Sequence, residues 1–164
     1  MPFELLKQGA AFLFLGLCAC ASTTTSLDHE ILARGSAPGD SGAGERFEVI
    51  ETRPELHALY EEIFAGRLPP PPVPDVDFSR SLVLFVAMAQ QPTAGYRVEM
   101  DPPVFRNGVL RSRVTFHDPP EGEPRATVLT RPFAVMKVNR PSGAEKVLFV
   151  DQAGNRLARI PLEQ

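Results

Sequence analysis

The chain has 164 residues, 17 of them lysine or arginine and 20 aspartate or glutamate, so its formal net charge is only -3. This length is enough for one domain with a hydrophobic core and is short for two full domains. The charges are scattered, and no basic run of the kind that follows a phosphate backbone occurs, which argues against nucleic acid as a partner. The 17 prolines and 12 glycines favour short strands and turns over long helices.

The first 19 residues have the pattern of a secretory signal peptide. Lys7 precedes an apolar run from Gly9 to Leu17, which is too short to span a bilayer. The run ends in Leu17-Cys18-Ala19-Cys20, which resembles the lipobox of bacterial lipoproteins. The resemblance implies a signal peptide over residues 1–19, a lipid such as palmitate on Cys20, and anchoring in the bacterial cell envelope. The anchored protein would lie at the periplasmic face of the outer membrane or at the cell surface.

An alternative reading of the same segment is cleavage after Ala21, at an A-x-A site, which would release a soluble secreted protein. In the lipoprotein reading, Cys18 leaves with the signal peptide and Cys20 carries the lipid. Because the chain has two cysteines, the mature domain then has no thiol for a disulfide, a metal or a nucleophile.

Residues 20–45 are predicted to form a flexible tether. Small hydroxyl residues begin this segment, and glycine, serine, alanine and proline end it. Leu27 to Ala33 has room for one helical turn, which the glycines after it would not continue. A coil of about 25 residues has a root-mean-square span of roughly 25 to 30 Å, enough to lift a domain clear of the lipid headgroups. The folded domain is therefore predicted to span residues 46–164.

The domain is predicted to begin with a strand and a helix. Residues 46–51 alternate as a short strand would, and the next four residues, Thr52 to Glu55, match a capping box. Apolar residues then recur at helical spacing from Leu56 to Ile63. The proline-rich segment after them is predicted to be an extended connector. Leu82 to Ala89 is apolar on both faces, which predicts a central strand that is buried from both sides.

Everything after residue 95 is predicted to be strand and turn. Asn107-Gly108 between apolar pairs is a strong hairpin signal, and residues 130–139 form a further strand after a polar loop. Residues 146–150 and 156–160 make a terminal hairpin. The pattern predicts a mainly β fold. It would count as α+β only because of its one N-terminal helix. Its architecture is an antiparallel β-sandwich or open barrel of about seven to eight strands.

Residues 77–140 resemble the PrcB C-terminal domain. The shared features are the apolar strand, a P-T-x-G-Y turn at Pro92 to Tyr96, a proline-rich loop after the hairpin, and a Thr-x-Pro-aromatic entry to the next strand at Thr130 to Phe133. The domain is named for an accessory lipoprotein subunit of a bacterial surface protease complex. The resemblance implies a non-catalytic domain that binds another envelope or secreted protein, with a protease among the candidates, or that stabilises its complex.

A second resemblance competes with the first. Gln91 to Tyr96 and Arg131-Pro132-Phe133 are similar to the N-P-T-T-G-Y and R-P-W loops of chagasin-type inhibitors of cysteine proteases, which are immunoglobulin-like sandwiches. This similarity implies a protease inhibitor as the alternative function, although the G-x-G-G loop that those inhibitors also use does not occur here. The candidate contact residues are Gln91, Thr93, Tyr96, Arg131 and Phe133. A plain turn between two strands accounts for the same loop without any partner.

No catalytic, cofactor-binding or metal-binding residue is predicted. The sequence has no G-x-S-x-G, H-E-x-x-H, P-loop or G-x-G-x-x-G motif. His117-Asp118 with Glu121 and Glu123 is the one cluster considered for a metal, and a solvated acidic loop is the simpler interpretation. An enzyme of an unrecognised class is the third alternative for the function.

Overall fold

The computed structural model of the chain describes residues 25–38, 44–122 and 124–163. These ranges contain ten strands and one helix. The strands are β1 (Thr25–Ser26), β2 (His29–Pro38), β3 (Arg46–Ile50), β4 (Ser81–Ala87), β5 (Arg97–Met100), β6 (Val104–Arg106), β7 (Val109–His117), β8 (Thr130–Asn139), β9 (Lys146–Val150) and β10 (Arg156–Pro161). The helix, α1 (Arg53–Ile63), lies between β3 and β4. Within the described residues, no helix has the length and the hydropathy needed to cross a membrane.

The strands form two sheets that pack face to face. One sheet has the order β2-β8-β4-β3 and is antiparallel throughout. The other has the order β1-β6-β7-β9-β10, with β5 also paired to β7. Neither sheet closes into a barrel, so the prediction of a mainly β sandwich is confirmed. The β7–β9 pair is parallel, a departure from the expected all-antiparallel pairing, because the chain passes through β8 in the opposite sheet between them.

Strand β4 is buried on both faces because each face meets a different layer. Leu84 and its neighbours at alternate positions face the six-stranded sheet, in a core that includes Met136 of β8 and Phe149 of β9. Phe85 and its neighbours face α1, in a second core that includes Leu59. The four-stranded sheet is therefore the middle of three layers, which explains why its central strand reads as a continuous apolar run.

The predicted capping box begins the helix. The Thr52 hydroxyl accepts a hydrogen bond from the amide of Glu55 at 3.4 Å, and the Glu55 carboxylate accepts one from the amide of Thr52 at 3.1 Å. The predicted apolar stripe is buried against the sheet and consists of Leu56, Leu59, Tyr60 and Ile63. Local sequence signals therefore fix both the start of α1 and the face that it buries.

Residues 25–26 and 29–38 form strands, so the prediction of a flexible tether is wrong for this part of the segment. Strand β1 pairs with β6, and β2 pairs with β8 from His29↔Val138 to Pro38↔Thr130. The single helical turn expected from Leu27 is replaced by extended chain. An edge strand can be rich in small residues because its neighbour supplies the main-chain hydrogen bonds, and Gly35 lets the ring of Phe133 pack against the backbone.

The fold consequently includes strands from Thr25 onward, N-terminal to the predicted domain start at residue 46. The predicted signal peptide, Cys20 and two parts of the predicted tether, residues 21–24 and 39–43, lie outside the described residues. The extra strands β1 and β2 also account for much of the difference between the ten strands that the structure describes and the smaller number expected from the sequence.

Tyr60 is buried in the layer between α1 and the four-stranded sheet. The residue is 4% exposed, and its hydroxyl has no hydrogen-bond partner among the described residues. Burial raises the pKa of Tyr60 to about 12, because the ionised phenolate would lose its hydration.

We therefore expect the fold to lose stability at alkaline pH through Tyr60. An unfolded tyrosine ionises near pH 10, whereas the folded one keeps its proton to about pH 12. This contribution to the free energy of unfolding is fully present below about pH 10 and is lost as the pH rises to 12, by on the order of 2 kcal/mol. Tyr60→Phe should match or exceed the wild-type stability at pH 8, because it removes an unpaired buried hydroxyl. Urea unfolding at pH 8 and pH 11 checks both points, and a stability difference between variant and wild type that stays constant over that range contradicts them.

Candidate functional site

The candidate contact loop, Gln91–Tyr96, follows β4 and lies beside the segment that leads into β8. We call it the QPTAGY loop. Gln91 and Thr130 exchange two backbone hydrogen bonds, of 2.8 and 2.9 Å. The Ala94 amide donates to the Ala126 carbonyl at 3.2 Å, and the Thr130 hydroxyl donates to the Thr93 carbonyl at 3.1 Å. The loop is therefore joined to residues 126–130 along its length, as a short irregular strand pair would be.

Gly95 occupies a position in the QPTAGY loop that disfavours a side chain. At this point the QPTAGY loop approaches the polar loop that precedes β8. The φ of Gly95 is +104°, in the region that disfavours residues with a side chain. A Cβ atom at this position would also lie only 2.8 Å from Cβ of Pro119. The next residue, Tyr96, is half-buried against the core between the two sheets. The turn interpretation of the sequence thus explains Gly95 and Tyr96 through local packing.

The other two predicted contact residues of the loop are half-buried. The Gln91 side chain donates a hydrogen bond to the Ala89 carbonyl at 3.1 Å, which folds it back onto the chain. Thr93 is held through its carbonyl oxygen, as described above. The exposed positions of the loop are Pro92 and Gly95. A partner that approached this loop would therefore meet its backbone and Pro92 more than its polar side chains.

Arg131 lies inside β8 rather than in a loop, so its prediction as a contact residue is wrong. It is 4% exposed. Its Nε donates to the Met88 carbonyl at 3.3 Å, and its Nη2 donates to the Gly44 carbonyl at 2.9 Å. Burial and, to a smaller degree, the positive charge of Arg46 lower the pKa of Arg131. The guanidinium group links β8 to the end of β4 and to the chain before β3, which is a structural role.

Phe133 is also buried, and its prediction as a contact residue is wrong for the same reason. It is 1% exposed and packs edge-on against Phe64, with a distance of 5.7 Å between the ring centroids. Phe85 lies 6.3 Å away on the same side of the sheet. The segment that resembles the R-P-W loop of chagasin-type inhibitors is therefore a core strand. A chagasin-type inhibitor uses a second contact loop at this position, and here the position is occupied by a buried strand.

The exposed apolar segment beside the QPTAGY loop was not identified in the sequence. Val128 and Leu129 are 48% and 59% exposed. The antiparallel pairing at Gln91 and Thr130 places Leu129 opposite Pro92 and Val128 opposite Thr93. We call Pro92, Val128 and Leu129 the end patch. Leu129 also borders a groove of about 360 Å³ that it shares with the C-terminal end of α1.

His117, the histidine of the predicted polar loop, takes part in a cross-strand pair. Its Nε2 lies 2.9 Å from Oε2 of Glu99, on the neighbouring strand β5. In the part of the chain that the structure describes, no group of three or more His, Cys, Asp or Glu side chains is arranged to hold a metal ion. Glu123, the last member of the cluster considered above, lies outside the described residues.

Comparison with known protein families identifies part of this chain. The family model described as PrcB C-terminal matches residues 82–139. This range runs from β4 to the last residue of β8 and includes the QPTAGY loop, the hairpin and the end patch. The resemblance predicted from the sequence is therefore confirmed over this range. The chain matches no curated protein and no solved structure.

Proposed function

We propose that the chain is a bacterial envelope protein, anchored by a lipid at Cys20, whose β domain binds another protein through the end patch and does not itself catalyse a reaction. The observation that carries the proposal is the exposure of Val128 and Leu129 on a segment that four hydrogen bonds hold in place. Contiguous apolar side chains that a fold leaves exposed, with polar residues around them, commonly mark a protein contact site.

The rigid support of the end patch favours binding. Ordering a mobile loop on association costs free energy, whereas a segment that is already fixed avoids most of that cost. Residues 126–130 are fixed by their bonds to Gln91, Thr93 and Ala94, and Gly95 packs tightly against Pro119. The hydrogen bonds and the packing that form the turn therefore also hold the neighbouring apolar residues in a fixed, exposed position.

The family match supports an accessory role. The PrcB C-terminal domain is named for an accessory subunit of a surface protease complex, and the match covers both segments that form the end patch. An accessory subunit acts by holding or positioning its partner, which requires a contact surface and no catalytic group. We infer that the partner is another envelope or secreted protein, with a protease among the candidates.

The short distance from Cys20 to the fold constrains where the partner lies. The first described strand begins at Thr25. Five residues span at most about 17 Å when fully extended. A lipid on Cys20 would therefore hold the domain against the membrane surface, instead of lifting it away on a long tether. The partner is then itself membrane-bound or close to the membrane.

Leu129→Asp should weaken capture of the partner without unfolding the domain. A central apolar contact is typically worth about 1.4 to 2 kcal/mol, so we expect a loss of roughly tenfold or more in affinity. Because the side chain is exposed, the stability should change by less than about 0.5 kcal/mol. The measurement is quantitative pull-down from solubilised envelope with a tag after Gln164, together with thermal unfolding.

Leu68→Asp is the matched control, because Leu68 is 91% exposed and lies outside the end patch. It should leave capture unchanged. Equal losses in the two variants would point to a general effect of added negative charge. Full capture by Leu129→Asp would contradict binding through the end patch.

A further inference from the structure

A second surface of the domain carries a groove that the proposed function does not use. The groove has a volume of about 810 Å³ and crosses β6, β7, β9 and β10 on the outer face of the six-stranded sheet. None of the described residues that line it belongs to the QPTAGY loop or the end patch. The groove is therefore a separate feature, on the opposite side of this sheet from the core.

The strand register builds an alternation of aliphatic and basic side chains across the groove. Val104 pairs with Arg111, Arg111 pairs with Leu148, and Leu148 pairs with Arg159. Neighbouring strands lie about 4.8 Å apart, so Arg111 and Arg159, two strands from each other, are separated by roughly 10 Å at the backbone. Two guanidinium groups thus stand on either side of Leu148.

The aliphatic residues form the floor and the arginines form the walls. Val109 and Leu148 are half-buried, and Val150 is buried. The arginines of the groove are all exposed, and they are Arg106, Arg111, Arg156 and Arg159. A ligand in the groove would therefore meet an apolar base between positively charged sides.

The positive charge of the groove is not neutralised within the described chain. Five cationic residues line it, the four arginines and Lys146, and none of its described lining residues is acidic. Nζ of Lys146 lies 3.9 Å from the Glu145 carboxylate, while no described carboxylate forms an ion pair with any of the four arginines. Because the chain as a whole carries a net charge of -3, this concentration of cations is local.

We propose that this groove binds an extended, acidic segment of a second protein. Guanidinium groups bind carboxylates through paired hydrogen bonds, so Arg111 and Arg159 can each hold one acidic side chain of that segment. Aliphatic side chains between the acidic ones would then pack on Val109 and Leu148. The proposal does not depend on binding at the end patch.

The shape of the groove favours a protein segment over a membrane surface. A bilayer surface is flat on this scale and could touch the exposed arginines, but it could not reach the aliphatic floor between them. An extended peptide can enter the groove, because its side chains project to alternate sides at a spacing of about 6.8 Å on one face. Charge complementarity should also make the binding sensitive to salt.

A labelled peptide of repeating Glu-Ser-Val-Ser sequence tests the proposal directly, because an extended chain then presents glutamate and valine alternately on one face. The full chain, purified in a neutral detergent, should bind this peptide in a fluorescence anisotropy titration, and raising the salt concentration should weaken the binding. The double variant Arg111→Glu/Arg159→Glu should lose at least tenfold in affinity. The milder Arg111→Gln/Arg159→Gln should lose affinity in the same direction, and it replaces the first variant if thermal unfolding shows that the charge reversal disturbs the fold.

Arg34→Glu/Arg67→Glu is the matched control, since it makes the same change in net charge at exposed positions outside the groove. It should retain at least half of the wild-type affinity, and so should Leu129→Asp. Failure of the wild type to bind the peptide overturns the proposal, as does an equal loss in the two double variants. Binding of mixed detergent micelles that contain phosphatidylglycerol through Arg111 and Arg159, without binding of the peptide, would assign the groove to a membrane surface and also overturn it.

Discussion

Phe133→Ala is expected to lower the free energy of unfolding by about 3 to 5 kcal/mol, the range typical of a large aromatic side chain deleted from a core. Phe133 is 1% exposed and lies between Phe64 and Phe85. Its ring also packs over Gly35 on the edge strand β2. Removal of the ring would leave a cavity where the helix, the central strands and the edge strand meet. Urea unfolding measures the loss.

The same substitution separates the fold described here from the inhibitor resemblance. In a chagasin-type inhibitor the corresponding aromatic residue would be part of a contact loop, and its deletion would leave stability nearly unchanged. Leu68→Ala is the control for an exposed apolar residue, with an expected change below about 0.5 kcal/mol. A loss below about 1 kcal/mol for Phe133→Ala would contradict the burial of Phe133 in the strand.

Cys20→Ser should move the protein from the detergent phase to the aqueous phase in phase partition. Each buried methylene of a lipid contributes about 0.8 kcal/mol of membrane affinity, so several acyl chains together hold a protein almost permanently. Loss of the acceptor sulfur should therefore change the distribution of the cleaved domain almost completely. Any precursor that keeps its apolar signal peptide is distinguished by its larger size, because that segment would hold it in the detergent phase without a lipid.

Cys18→Ser is the matched control, since it removes the other cysteine of the same segment and should leave partition unchanged. Retention of the Cys20→Ser variant in the detergent phase, with its signal peptide removed, would contradict lipidation at Cys20. If wild type and variant were both found in the aqueous phase, the A-x-A cleavage would be the correct interpretation.

The elements that the sequence predicted well are those with local chemical signals. The Thr52–Glu55 capping box begins α1, and Asn107-Gly108 forms the two-residue turn between β6 and β7. Both turn residues have positive φ, of 50° and 75°, which asparagine and glycine tolerate best. The doubly buried strand β4 was also predictable, because a continuous apolar run of that length has few other solutions.

The elements that the sequence did not predict depend on long-range pairing. Strand β2 is made largely of small and polar residues, and it is a strand because β8 lies beside it. Arg131 was predicted as a contact residue because Arg131-Pro132-Phe133 is similar to the R-P-W loop of chagasin-type inhibitors. Its guanidinium is buried because the carbonyl oxygens of Met88 and Gly44 accept its hydrogen bonds, and both are distant in sequence.

The candidate site was predicted only in part, for the same physical reason. The P-T-x-G-Y turn predicted a contact site at the end of the domain where the end patch lies, but Gln91, Thr93 and Tyr96 are half-buried and serve mainly to hold the loop. Val128 and Leu129 carry no motif, and their exposure follows from the two hydrogen-bonded segments that meet beside them. Apolar identity alone does not tell whether a side chain faces the core or the solvent.

Photo-crosslinking from position 129 tests most directly whether the end patch binds another protein. A photoreactive phenylalanine analogue would replace Leu129 in the anchored protein in intact cells, with the same replacement at Leu68 as the control for an even more exposed apolar position. We expect a discrete adduct with one envelope or secreted protein from position 129 and none from position 68. Equal labelling from both positions, or no adduct from position 129 although the protein is folded and anchored, would contradict the proposed function.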